Sequence, residues 1–350
     1  MEASFRDWNG ETVIVRHDKP TGAWIFIAIQ STRLGPAVGG TRMKSYPDVL
    51  AALQDAMRLA EGMTYKFATP GMPFGGAKAV IAVPPDLERH SREELLRRYG
   101  GLIHQLHGLF STGPDVGTSP ADMDIIAEAG APYVFAQTSA AGGSGDPGPF
   151  TARGVLAGIK VVCEHLFDDA SLKARRVLVQ GAGDVGGNLI KYLRESGAQV
   201  LFSDVDEGIV RSFRDGFGLE FVPPQAVYAM ECDIFAPCAL GAVLNANTIP
   251  QLKCRAVAGG ANNQLETQED AERLRAREIL YAPDYVINVG GAMAIIGMEI
   301  QGWTREKAKE EVVGSVRRTL RQIFEVAAAE GITTEAAARR IAEERLSVDL

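Results

Sequence analysis

Between residues 176 and 189 the chain reads RVLVQGAGDVGGNL: an apolar run of strand character, a glycine turn, and the start of an amphipathic helix. Gly181, Gly183 and Gly186 stand in the G-x-G-x-x-G spacing, with Ala182, Asp184 and Val185 between them. A second apolar run, AQVLFSD, follows and ends at Asp204, 21 residues after Gly183. A strand, a glycine turn, a helix and an acid-terminated strand in this order form the βαβ fingerprint of a dinucleotide site. Gly181 permits the tight turn, Gly183 lets backbone approach a pyrophosphate, and Gly186 allows the helix to pack close to the strand. The helix N-terminus offers unpaired N–H groups and a positive partial charge to the phosphates. Asp204 would accept hydrogen bonds from the adenosine ribose hydroxyls and repel a 2′-phosphate. No arginine directly follows it in SDVDEG, so the pattern favours NAD over NADP.

The rest of this half repeats the theme. CDIFAPCALG, CRAVAGGANNQ and ILYAPDYVINVGG are apolar runs that each end in a Gly, Pro or Asn cluster, as the strands of a parallel sheet covered by helices do. Ligands bind beyond the carboxyl ends of such strands. That places Cys238 and Ala239, Asn262 and Asn263, and Asn288 beside the cofactor, with Cys238 in a packing role because nothing near it would activate a thiolate. The first third mixes strands and helices. TVIVRHD and AWIFIAIQST flank the turn KPTG and predict a strand pair, VLAALQDAMRLAEGM predicts a helix, and SREELLRRYGGLIHQLHGLF predicts a second with a serine cap. Ser139–Phe150, dense in Gly, Pro and Ser, reads as a linker or hinge loop. From TREKAKEEVV onward, two amphipathic helices are broken at EGITT. The fold class is therefore α/β with two domains.

Composition removes other classes. Hydrophobic residues make up 46% and charged residues 23% of the 350, ordinary values for a soluble globular chain. A net charge of −8 without a basic run leaves no electrostatic footprint for nucleic acid or an anionic membrane. MEASFRDWNGE is acidic and polar where a signal peptide would be basic and then apolar, and no apolar run is long enough to span a bilayer. Cys163, Cys232, Cys238 and Cys254 form no CxxC pair and fit reduced residues of a cytoplasmic protein. The five histidines make no metal constellation, so no metal is expected.

KFATPGMPFGGAK, Lys66 to Lys78, has a lysine at each end, no carboxylate, and glycines between. A lysine in apolar surroundings, or beside another cation, has a lowered pKa and can act as a base, while one that stays charged can anchor a carboxylate. Gly71, Gly75 and Gly76 would let the backbone bend sharply between them. Residue types alone equally allow two surface lysines around a Gly/Pro loop. STGPDVGTSPADMD adds Asp115 in a turn, either a simple turn former or, beside a base lysine, a proton carrier.

LGPAVGGTR, MTYK, GMPFGGAK, TGPDVGT, DIFAPCALGA, GGANNQL and YAPDYVINVGG occur in this order along nearly the whole chain. Together they resemble the glutamate/leucine/phenylalanine/valine dehydrogenase superfamily, closest to its leucine and phenylalanine branch. The resemblance implies reversible oxidative deamination, in which an L-amino acid, NAD and water give a 2-oxo acid, ammonium and NADH. It implies Lys66 on the substrate carboxylate, Lys78 as general base through a water, and Asp115 in proton transfer with the amino group. Gly39, Gly40, Met63 and one of Asn262 and Asn263 would line the substrate or nicotinamide. It also implies a substrate domain over 1–132, a Rossmann domain over 133–325, C-terminal helices at about 326–350 returning to the first, an active-site cleft between the two, and a homo-oligomer. The helix after NVGG begins AMAIIGMEIQGW. Small residues such as Ala292, with Ile295, suit a bulky apolar or aromatic side chain, phenylalanine-like, with leucine, valine or tryptophan as alternatives. No Lys or Arg there would bind a second carboxylate. A non-catalytic NAD or amino-acid sensor is the alternative from another class. The chain departs from the family at Ala77, third in GGAK where glycine is usual, and at Ala79 where Ser or Thr commonly follows the lysine. The Ala77 methyl would crowd a backbone that needed positive φ.

Overall fold

The computed structural model describes Phe5 and residues 8–347. The chain folds as two compact units: residues 1–146 with 298–302 and 342–350, and residues 147–297 with 303–341.

In the first unit β1 (Thr12–Asp18) and β2 (Ala23–Ser31) form the expected antiparallel pair, with Thr12 opposite Ile29 and Asp18 opposite Ala23. β3 (Ala37–Lys44), β4 (Gly75–Ala82) and β5 (Phe110–Pro114) complete a mixed sheet in the order β1-β2-β4-β3-β5. Strand alternation sends successive side chains to opposite faces. Ile25, Ile27 and Ile29 of β2 pack with Ala77, Ala79 and Ile81 of β4 under α2 (Arg89–Gln105) and α3 (Pro120–Gly130). On the other face Phe26, Ala28 and Val80 meet Ala52, Leu53, Ala56 and Met57 of α1 (Val49–Ala68). Each fully buried Ile or Phe contributes roughly 1.5–3 kcal/mol. Asp48 caps α1 through the Ala51 N–H, and Ser119 and Asp122 form a reciprocal capping box on α3. Ser91, expected as a cap, lies inside α2, which starts at Arg89 after Glu88.

In the second unit β6 (Arg176–Gln180), β7 (Gln199–Ser203), β8 (Glu220–Phe221), β9 (Ile234–Pro237), β10 (Ala256–Val257) and β11 (Leu280–Tyr281) make one parallel sheet ordered β11-β10-β9-β6-β7-β8. The order reverses between β6 and β9, the switch point where a doubly wound sheet opens a crevice. Helices α4 (Gly148–Phe167), α5 (Asp184–Glu195), α6 (Glu207–Phe217), α7 (Glu269–Ala276), α8 (Asp284–Ile287), α9 (Gly290–Glu299), α10 (Arg305–Glu330) and α11 (Thr334–Ser347) follow in chain order. The break predicted at EGITT is Gly331, left-handed at φ 67° after α10. Gly154 and Gly158 of α4 lie so close to Ile287 that a Cβ on either would come within 2.6 Å of it.

The units divide at Asp146–Pro147, inside the Ser139–Phe150 stretch and later than the 132/133 boundary. Residues 133–146 stay with the first unit for a physical reason. Val134 bridges to Thr112, Thr138 is held by Asp124, and Glu299 accepts the Ala136 and Ser144 N–H groups at 2.8 and 2.7 Å. At the other end only 342–350, not all of 326–350, groups with the first unit. There Arg345 donates to the carbonyl oxygens of Ala68, at 3.0 Å, and Thr69.

Glu335, in the first turn of α11, is a buried acid. Burial and the neighbouring Asp284 carboxylate push its pKa up to about 7, against the pull of Arg339, whose Nε donates to it at 2.9 Å. A carboxyl raised above its unfolded value of 4.5 contributes stability that is whole below that value and is lost as pH climbs through about 7. Glu335→Gln should therefore be more stable than the parent at pH 8, by on the order of 1–3 kcal/mol, and close to it at pH 4.5. Denaturant unfolding of both at the two pH values checks this, and a gap of equal size at both would refute it.

Candidate active site

Even-numbered residues of β3 and β4 face α1. On β4 that face carries Val80 and, two residues earlier, Lys78; on β3 it carries Gly40 and Arg42. Lys78 thus stands in the middle of a central strand, opposite Ala28 of β2, and only 6% of it is exposed. Its Nζ lies 3.1 Å from Oδ2 of Asp115, the first residue after β5. The Nε of Arg42 reaches the same oxygen at 2.9 Å. Asp115 is fixed locally as well, because its N–H donates to Thr118 Oγ1 at 2.9 Å, and that hydroxyl donates to the Thr41 carbonyl. Both cations therefore occupy one carboxylate oxygen and leave Oδ1 available.

Burial is the largest influence on Lys78 and lowers its pKa from the ordinary 10.5. The nearby Arg42 charge pushes the same way, and Asp115 and Asp55 oppose both. For Asp115, burial alone would raise the pKa, but Lys78 and Arg42 outweigh it and hold the carboxyl below its ordinary 3.8. A lysine that can lose its proton beside a carboxylate that keeps its charge can shuttle protons.

Lys66 and Met63 lie in the last turns of α1, both half-buried. The expected bend between the two lysines is reached differently. Gly71 takes a left-handed conformation at φ 74°, but Gly75 and Gly76 belong to extended β4. They are small because they pack closely: a Cβ on Gly76 would sit 2.2 Å from the Thr64 backbone nitrogen. A Cβ on Gly39 would be tighter still, 1.7 Å from the Ala77 carbonyl oxygen, and one on Gly40 would meet the Pro114 carbonyl at 2.8 Å and Lys78 Nζ at 3.4 Å. Ala77 itself lies in β4, opposite Ile29, with its methyl in the core. No positive φ is asked of it, so the crowding expected there does not arise.

In the second unit Gly181 follows β6 with φ 91°, and its N–H donates to Ser203 O at 2.7 Å. A Cβ on Gly186 would meet the Gly181 carbonyl at 1.8 Å, whereas one on Gly183 would meet nothing within 4 Å. Open space at Gly183, at the N-terminus of α5, fits a pyrophosphate against the backbone. Ala182, Asp184 and Val185 fill the turn. Asp204, just past β7, accepts the Ala182 N–H at 2.7 Å on Oδ2 and the Asp206 N–H at 2.9 Å on Oδ1. These residues fit an adenine dinucleotide.

Cys238 follows β9, where its N–H bonds Gln180 O across the switch point. Burial pushes its thiol up to about 12, and its sulfur accepts the Gly260 N–H. It is a packing thiol beside the turn; a Cβ on Gly181 would come within 2.7 Å of the methyl of Ala239 next to it. Asn288 is buried and donates its amide to Asn262 Oδ1 at 2.8 Å, leaving its own Oδ1 a buried acceptor with no protein partner. Asn263 is exposed at φ 52°. On α9, Ala292 is half-buried and Ile295 is buried. Two residues of the first-unit cluster, Arg42 and Asp55, are not marked as site residues by their sequence context. The legible signal was an arginine inside the buried strand AVGGTRMK.

Residues 14–130 match the Glu/Leu/Phe/Val dehydrogenase dimerisation domain, and residues 142–219 and 203–348 match the Glutamate/Leucine/Phenylalanine/Valine dehydrogenase family. The chain belongs to the glutamate/leucine/phenylalanine/valine dehydrogenase family. It is 43% identical to leucine dehydrogenase of Thermoactinomyces intermedius over 97% of this chain and 91% of that one. It is 39% identical to phenylalanine dehydrogenase of Lysinibacillus sphaericus over 95% and 87% of the two chains. The crystal structure of L-tryptophan dehydrogenase from Nostoc punctiforme superposes with a TM-score of 0.84 at 41% identity, covering 99% of this chain and 98% of that one. Among the described residues, no helix of this dehydrogenase is long and apolar enough to cross a membrane.

The glycine turn separates folding from binding. Gly186→Ala should destabilise the protein by several kcal/mol, because a methyl cannot share space with a backbone carbonyl. Gly183→Ala should keep the parent's melting temperature to within a few degrees and weaken dinucleotide binding at least tenfold. Thermal unfolding and a fluorescence titration with the dinucleotide read the two effects. Parent-like dinucleotide affinity in Gly183→Ala would remove the turn from the site.

Proposed function

We propose that the protein catalyses the reversible NAD-dependent oxidative deamination of an apolar or aromatic L-amino acid to the 2-oxo acid and ammonium. The observation that carries this reading is the buried Lys78–Asp115 pair with one carboxylate oxygen left available. When bound, NAD supplies the hydride acceptor. Lys66 pairs with the substrate carboxylate. Asp115 Oδ1 accepts from the substrate amine and orients it, and Lys78, poised by burial, takes the proton from the water that attacks the substrate carbon. Gly40, between Lys78 and Asp115, keeps a side chain out of the space the substrate needs, with Gly39 and Met63 as further lining. The first unit thus serves the substrate and the second the dinucleotide.

Asp204 supports NAD over NADP, since its carboxylate would repel a 2′-phosphate and no basic residue follows directly. Asn288 Oδ1, a buried acceptor in need of a donor, suits a carboxamide N–H of the nicotinamide, with Asn263 nearby in sequence to Asn262. Ala292 and Ile295 of α9, with no cationic residue along Gly290–Glu299, support an apolar side chain rather than an acidic one. Relatives named for leucine, tryptophan and phenylalanine at similar identity support the same class. Four unpaired cysteines fit a reducing cytoplasm, and the match to a dimerisation domain supports a homo-oligomer.

NADH absorbance with a panel of L-amino acids at alkaline pH should show turnover with leucine, valine, phenylalanine or tryptophan and little with glutamate. The pH dependence of kcat/KM should rise on a limb centred below 10.5, the ordinary lysine value. Lys78→Ala should lower kcat by at least a thousandfold and still bind NAD. No turnover with any apolar or aromatic substrate would support the sensor instead, and near-parent kcat in Lys78→Ala would displace the base.

A further inference from the structure

The cluster around Lys78 holds a second layer that the reaction as written does not use. Arg42 spans two carboxylates: its Nε donates to Asp115 Oδ2 at 2.9 Å and its Nη1 to Asp55 Oδ2 at 3.0 Å. Asp55, on α1, is saturated from other sides. Tyr46 Oη donates to its Oδ2 at 2.7 Å and Arg58 to its Oδ1 at 2.8 Å. Arg42 and Asp55 are mostly buried, with 16% and 13% of their side chains exposed. A planar guanidinium caught between two fixed carboxylates has little freedom to move.

We propose that Arg42, held by Asp55, is a positioning residue for the reaction: it pins Asp115 Oδ2, keeps Oδ1 for the substrate amine, and is the permanent positive charge against which Lys78 gives up its proton. This rests on Lys78 acting as the base. The need for such a charge follows from the pair itself. When Lys78 becomes neutral, Asp115 loses a counter-ion in a buried site, and a buried lone carboxylate takes up a proton. Lysine and carboxylate would then share one proton, and neither would be available to the substrate in a defined state. Arginine cannot be discharged at any working pH, so Arg42 holds Asp115 ionised and in place while Lys78 cycles.

The charges facing Lys78 can be named element by element. β3 brings Arg42, and the turn after β5 brings Asp115. α1 carries Asp55, Arg58, Glu61 and Lys66, of which Asp55 acts on Lys78. β2 has no titratable residue between Ala23 and Ser31. Past β3, Tyr46 faces Asp55, and Lys44, the last residue of β3, lies over the Tyr46 ring at 4.6 Å. Arg42 lowers the proton affinity of Lys78, and Asp55 and Asp115 raise it. Removing Arg42 and removing Asp55 must therefore act in opposite directions.

The test is the ascending limb of kcat/KM against pH for the full-length enzyme with NAD and its best apolar amino acid. Arg42→Gln should move the midpoint up by roughly one pH unit, and Asp55→Asn should move it down. Arg42→Lys keeps the charge but not the fork, and should hold the midpoint near the parent's with a lower plateau. A far-UV circular dichroism spectrum and a melting curve like the parent's show that each variant is folded. If Arg42→Gln does not fold, Asp55→Asn alone decides, since a downward displacement is required of it. Midpoints that stay at the parent value, or that move the same way in both variants, would overturn the proposal. Activity and an unaltered limb in Lys78→Ala would instead overturn the underlying choice of base.

Discussion

A lysine ammonium in the middle of a central strand is the constraint around which the first unit is arranged. Isolating such a charge from water costs several kcal/mol, so the site must bring compensation to it. The compensation is a chain of alternating charges, Lys78, Asp115, Arg42 and Asp55, in which two cations meet two carboxylates over contacts of 2.9–3.1 Å. The chain sums to zero, but its shape matters more. Arg42 is the one cation of the two that cannot yield its proton, and Lys78, deepest in the sheet, is the one that can. A site built this way keeps its geometry while a proton leaves it.

Close backbone approach is the second theme, and both units use it. Gly39 against the Ala77 carbonyl, Gly76 against Thr64, and Gly186 against the Gly181 carbonyl are places where a single methyl would collide with main chain. In the first unit these contacts draw α1 and the β3–β4 pair together, which brings Asp55 within reach of Arg42. In the second they seat α5 on the turn after β6, with its N-terminus at the open space beside Gly183. Gly183 differs from its neighbours in that no protein atom stands where its side chain would be.

The dinucleotide turn was legible because its chemistry is local: strand, turn, helix and acid follow one another within about thirty residues. Lys78 and Asp115 were legible as types and as family motifs, but their 3.1 Å contact depends on β5 lying beside β3, a non-local pairing. Arg42 and Asp55 were missed for the same reason. Arg42 reads as an ordinary arginine until the strand's facing is known, and Asp55 as an ordinary surface residue of an amphipathic helix. Gly75 and Gly76 look like bend-formers in the sequence because a glycine's freedom is visible there, whereas the neighbour that forbids a side chain is not. The compact units divide at Asp146–Pro147 rather than at 132/133 because what ties 133–146 to the first unit includes Glu299, more than 150 residues away along the chain.

That last tie sets an order of assembly. The first unit is encoded mostly at the front of the chain, yet Glu299 and Arg345, which bind Ala136, Ser144, Ala68 and Thr69, leave the ribosome after most of the second unit. Domains generally fold as they emerge, front first. Here the front domain can begin first but cannot finish first. The parallel sheet that follows it in the chain is synthesised in full before the first unit receives its final hydrogen bonds, so that unit waits on residues more than 150 positions further along.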